Sequence, residues 1–98
     1  MVVISRHNDS ISIQGHAGYA AIGQDIVCAA VSTLTQALVL SLEELTQDEI
    51  KADLTPGNSV IQYKNLSSSG KLLLDSFLLS VKAVASAYPA HVVVKIDN

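Results

Sequence analysis

The chain has 98 residues, 49% hydrophobic and 15% charged, with a net charge of −3. Such a composition supports one domain with a real core, leaves no room for two, and excludes intrinsic disorder. Only six Lys and Arg, thinly spread, exclude a basic patch for nucleic acid, and a single Cys excludes an internal disulfide.

Val2 to Arg6 and Ile11 to Gly15 read as two short strands. His7-Asn8-Asp9-Ser10 supplies turn chemistry between them, so a hairpin is expected. Residues 15–24 carry three glycines and no clear period, and are expected to form a mobile loop. A helix should begin near Asp25, a good N-cap. Val27, Val31, Leu34, Leu38, Leu42 and Leu45 then recur on one stripe at 3.6 spacing until Thr46-Gln47-Asp48 closes it.

Residues 49–55 and 59–65 read as a second hairpin around Pro56-Gly57-Asn58. Ile50, Ala52 and Leu54 alternate with Lys51, Asp53 and Thr55, as in a strand with one wet face. Ser67-Ser68-Ser69-Gly70 reads as a hinge or helix start. A second helix over about 70–88 would turn Leu74, Phe77, Leu78, Val81, Val84 and Tyr88 inward and stop at Pro89. Residues 91–97 make the last strand.

The order β-β-α-β-β-α-β predicts an α+β fold: a two-layer α/β sandwich with two helices against a largely antiparallel sheet, residues 1–98 forming one domain. Aromatic residues are scarce, so Val, Ile, Leu and Ala must build the core. A chain this short has little core to bury, and a second copy is expected to cover one face. The first residues lack a charged stretch, apolar run and cleavage site, so no signal peptide is expected. No apolar run approaches 18 residues, and no membrane span is expected. The expected compartment is the reducing cytoplasm, where a lone Cys stays a thiol.

Chemistry concentrates in one segment, Gly15-His16-Ala17-Gly18-Tyr19-Ala20, then Gly23, then Asp25-Ile26-Val27-Cys28-Ala29-Ala30-Val31-Ser32. With Asp25 as cap, Cys28 is the third residue of the helix, where free N–H groups and the positive end of the dipole favour a thiolate. On a helical wheel Cys28 lies about 100° from the centre of the apolar stripe, at its margin. It shares that side with Ser32, Thr35, Val39 and Glu43. His16 is a candidate base twelve residues earlier, and Asp25 is a candidate hydrogen-bond partner for its imidazole. Against this, a lone Cys is ordinarily a small core residue, and the glycines alone could make an ordinary strand-to-helix connection. A zinc site needs three or four ligands, which one Cys and scattered His residues do not suggest. His7 reads as a solvated turn residue and His91 as a structural one.

This segment resembles the ribosomal-processing cysteine protease (Prp) family, including its twelve-residue step from His to Cys. The resemblance covers nearly the whole chain, with Tyr88-Pro89 before the last strand as a further shared feature. It implies a nucleophile at Cys28, a catalytic His at His16, flanking positions at Asp25 and Ser32, and a substrate loop carrying Gly15, Gly18 and Gly23. It also implies a homodimer, no cofactor or metal, and no direct contact with nucleic acid or membrane. The family's task is to remove a short N-terminal extension from a basic partner, large-subunit ribosomal protein twenty-seven. The cut falls after a Phe in a short apolar stretch. The expected mechanism uses amides at the helix start as oxyanion donors and closes the glycine loop over the peptide. Ala21 and Ile22 stand where many members carry an acidic or aromatic residue, which leaves open a family protease with another substrate. A non-catalytic ribosome-associated binding module, a thiol redox protein and a plain dimerisation domain are the readings of other classes.

Overall fold

Short alternating segments become strands because one side of each is apolar and can be buried while the other stays wet. In the computed structural model, which describes residues 1–21 and 24–96, these are β1 (Val2–Arg6) and β2 (Ser10–Gln14), β3 (Ile50–Thr55) and β4 (Asn58–Tyr63), and β5 (Val92–Ile96). The helices are α1 (Ile26–Leu45) and α2 (Ser68–Ala87). The element order is the one read from the sequence.

The five strands form one sheet in the order β3-β4-β2-β1-β5. Three pairings are antiparallel, and the fourth, β1 with β5, is parallel. Register fixes the inner face: Ile4 stands opposite Ile13, Ile11 opposite Ile61, and Val2 opposite Val92. All six are buried beneath the helices together with Tyr63.

Each helix is set by its cap. Ser67 Oγ accepts from Gly70 N at 3.0 Å, so α2 starts at Ser68, two residues before the glycine. Its inner face is Leu74, Phe77, Leu78 and Val81, with Val84 and Tyr88 half-buried as expected. Tyr88 N donates to Val84 O at 2.9 Å, and Pro89 then prevents continuation. On α1 the buried residues are Val27, Val31, Thr35, Leu38, Val39 and Leu42. Leu45, placed inward by its period, is 71% exposed, because the helix ends there and the sheet does not extend beneath it. Thr35 takes an inward place, its hydroxyl donating to Val31 O at 2.8 Å. Helix α1 is long and apolar enough to cross a membrane by length and composition, contrary to the sequence estimate. A third of that stretch is buried, with Val27, Val31, Leu38, Val39 and Leu42 in the core.

Strand β3 lies at an edge, and its face is wetter than the alternation suggests. Ala52 is exposed and Leu54 is 41% exposed although both point to the helix side. The helices cover the middle of the sheet and leave this corner open, beside the start of α1.

Candidate active site

Cys28 is the third residue of α1. Before it, Asp25 holds extended backbone (φ −85°, ψ 100°), and its Oδ1 accepts from Val27 N and Cys28 N, each at 3.0 Å. The other oxygen, Oδ2, faces the loop and accepts from Tyr19 N at 3.0 Å and Ala20 N at 3.4 Å. One carboxylate therefore caps the helix and straps the loop. The Cys28 N–H, seconded by those of Tyr19 and Ala20 and by the Cys28 side chain, holds the Asp25 carboxyl below its ordinary value, against an opposing desolvation. The oxygens of Asp25 are thus taken by amides rather than by the His16 imidazole.

Leaving β2, Gly15 turns with φ +93°, where a side chain would run into the Met1 carbonyl, and its N–H donates to Gly57 O at 2.9 Å. Ala17 then folds inward and is 2% exposed. Its N–H donates to Cys28 Sγ at 3.2 Å. Its carbonyl meets His91 Nδ1 at 2.8 Å. Gly18 follows with φ +67° and no atom within 4 Å of where a Cβ would stand, so backbone conformation and not crowding calls for glycine there. Beyond it the Tyr19 ring meets Tyr88 edge-on at 5.3 Å and His91 at 5.4 Å. Residues 17–20, expected to be mobile, are tied to both α1 and the start of β5. Gly23, with Ile22, lies outside the described residues.

His16 goes to the opposite wall. Its ring rests on Gly57 in the β3–β4 turn, so close that a Cβ on Gly57 would stand 2.7 Å from Nε2. Among the described residues the sulfur accepts from the Ala17 amide, the Cys28 side chain also bonds Asp25, and the imidazole sits on Gly57. His16, Asp25, Cys28 and Ser32 nonetheless border one cleft of about 800 Å³ with an apolar floor that includes Ile13 and Val31. Ser32 is exposed, one turn beyond Cys28. Leu54 at the end of β3 and Pro56 in the β3–β4 turn also line the cleft.

Cys28 itself is half-buried and packs against the core, in keeping with its marginal place on the wheel. Two helix-start amides, those of Val27 and Cys28, are engaged by Asp25 and so differ from the free donors the sequence suggested. The sequence reading missed Ala17, whose contribution is a backbone N–H and leaves no mark in residue type. It took His91 as structural, and the structure bonds its ring to the Ala17 carbonyl. The proximity of Tyr88-Pro89 to it was the available signal. Among the described residues no group of three or more His, Cys, Asp or Glu side chains is placed to hold a metal ion.

A helix-borne thiol at the mouth of an apolar cleft is the equipment of a thiol hydrolase. The family model for the cysteine protease Prp matches residues 1–93, and with it the class is settled as cysteine protease. The chain belongs to the Prp family. In the S. aureus ribosomal processing protease Prp with a covalently linked product peptide, 98% of this chain superposes on 97% of that one, with TM-score 0.88 and 21% identity. The same S. aureus enzyme with a substrate peptide gives TM-score 0.82 at 20% identity, over 98% of this chain and 97% of that one. SMU.848 from Streptococcus mutans is 33% identical, with TM-score 0.73 over 97% of this chain and 90% of that one. No curated protein matches the sequence.

Proposed function

We propose that this protease removes the short N-terminal extension of large-subunit ribosomal protein twenty-seven during ribosome assembly in the cytoplasm, with Cys28 as nucleophile and His16 as general base. The observation that carries this reading is the sulfur at the start of α1, receiving the Ala17 N–H inside the cleft that His16 and Asp25 border. An N–H aimed at sulfur stabilises its anion, and the thiolate is the nucleophile. The S. aureus relatives, solved with substrate and product peptides, support a peptide in the corresponding cleft. A net charge of −3 favours a basic partner.

In this mechanism substrate enters along the apolar floor, and the imidazole leaves Gly57 to face the sulfur. His16 takes the thiol proton as Cys28 attacks the scissile carbonyl, then gives it to the leaving amine. A water, deprotonated by His16, hydrolyses the thioester and restores the thiol. Since Asp25 engages the Val27 and Cys28 amides, the Ala17 N–H, already at the sulfur, serves in this mechanism as the oxyanion donor. Asp25 and Ser32 support the site, and Gly15, Gly18 and Gly23 give the loop its freedom. The chemistry needs no cofactor or metal.

The working unit is a homodimer. Leu72 and Leu79, seven residues apart on one face of α2, are each about 70% exposed, and a second copy would cover such a face. Incubating the protein with a peptide spanning the extension junction, and reading products by mass spectrometry, tests the function. A single cut after the Phe, lost in Cys28→Ala, is the expected result. An intact peptide beside an alkylatable Cys28 would overturn the substrate, and an intact peptide with an inert Cys28 would overturn the site.

A further inference from the structure

His91 stands at the end of the chain farthest in sequence from the loop, yet it closes on it. Its backbone is fixed between the end of α2 and the sheet: His91 N donates to Tyr88 O at 2.9 Å, and Val2 N donates to His91 O at 2.8 Å. The side chain reaches from this anchored position to the Ala17 carbonyl, 2.8 Å from Nδ1. A carbonyl only accepts, so Nδ1 carries the proton in this bond. The Tyr19 ring packs edge-on against the imidazole and against Tyr88.

Ala17 is therefore held at three points around one Cα. Its methyl is buried, its carbonyl is bound by the residue leading into β5, and its N–H points at Cys28 Sγ. Gly18, with φ +67°, then turns the chain so that Tyr19 N and Ala20 N reach Asp25. Asp25 straps the loop to the helix from one side, and His91 from the other. The Ala17 N–H and carbonyl lie in successive peptide planes that share its Cα, so the His91 bond acts on the N–H by fixing that Cα, and nothing else bonds the Ala17 carbonyl among the described residues.

We propose that His91 is a positioning residue for the nucleophile: by holding the Ala17 carbonyl it keeps the Ala17 N–H on the sulfur of Cys28. This rests on Cys28 being the nucleophile, and on nothing about which peptide is cut. An asparagine in place of His91 would carry its amide donor at the same distance from the backbone as Nδ1, whereas a leucine matches bulk without a donor.

The experiment compares wild type, His91→Asn and His91→Leu in two measurements: the iodoacetamide alkylation rate of Cys28 at fixed neutral pH, and kcat and KM on the junction peptide. His91→Leu should slow alkylation and lower kcat roughly tenfold, about what one well-made hydrogen bond is worth, with KM changed little. His91→Asn should restore most of both. If His91→Leu fails to fold by circular dichroism, His91→Gln replaces it: its donor is one methylene too far, and the same loss is expected. Wild-type rates in the Leu or Gln variant, or equal losses in the Asn and Leu variants, would overturn the proposal. Alkylation needs no substrate. A wild type that cuts no peptide would therefore sink the substrate assignment while the alkylation series still decides the role of His91.

Discussion

Two helix starts in this molecule occupy the same place in a repeated hairpin-then-helix unit. Each helix has 20 residues, and each follows an N-cap in extended backbone. At the third helical position one carries Cys28 and the other Gly70. Around α2 that position is sealed. Asp48, just before β3, accepts from Ser67 N at 3.0 Å and Ser67 Oγ at 2.8 Å, and its carboxylate fills the space a Cβ on Gly70 would need. Around α1 the position is open. A carboxylate again governs the start, but Asp25 is itself the cap and spends its second oxygen on the loop. A glycine that lets an acid close in makes a structural joint. A cysteine with the acid one turn back, and a loop amide on its sulfur, is the joint proposed above as the reactive one.

Substitutions can break this contrast. Cys28→Ala should abolish peptide cleavage and leave the thermal midpoint nearly unchanged, since a half-buried sulfur adds little to the core. His16→Ala should lower kcat by about 10²- to 10⁴-fold, the usual contribution of a general base, with the fold intact by circular dichroism. Gly70→Ala should do the reverse. Overpacking against Asp48 should cost about 1–3 kcal/mol in denaturant titration, while kcat per folded molecule stays at the wild-type value. Gly57→Ala falls between the two. A left-handed backbone costs an L-residue about 1–2 kcal/mol, and the new methyl would push His16 from its seat, so stability and kcat should both drop.

The smallest effect concerns Asp25. Its carboxyl titrates below its ordinary value of 3.8 in the folded chain. Its contribution is therefore complete above that value and disappears only as pH falls through the lowered folded value. The amide signals of Tyr19 and Ala20 in an NMR titration should stay constant from neutral pH to the ordinary carboxylate range and shift below it. A midpoint at or above 3.8 would contradict the strap. Asp25→Asn should sharpen the point. Its single carbonyl oxygen can still cap Val27 and Cys28, but its amino group would face Tyr19 and Ala20. Faster hydrogen exchange at those two amides, with the helix start still protected, is expected.

The elements were legible because their signals are local. The turn residues His7 to Ser10 between two short strands, the Asp25 cap and the 3.6 period after it each lie within a few residues, and the order and helix start follow from them. Cys28 and His16 stood out as candidates through residue type and spacing, and the wheel placed Cys28 at the core's margin, where it is half-buried. Leu45 misled because periodicity does not know where the neighbouring sheet ends. Ala52 and Leu54 misled because alternation marks a face without saying whether a helix covers it. The ties on the loop were illegible for a different reason. Ala17 contributes through its backbone, and its partner His91 is 74 positions away, which no window of local pattern spans.

That separation has a bearing on how the molecule comes to be active. Both hairpins and both helices can form from neighbours in sequence, while Val2 must find Val92 across nearly the full chain, and such distant closures are the slow part of folding. The sheet edge that carries His91 is thus expected to dock after the thiol-bearing helix already exists. If Cys28 and His91 act as proposed, a chain whose ends have not yet met would hold the cysteine without the loop set upon it, and proteolytic competence would arrive with their closing.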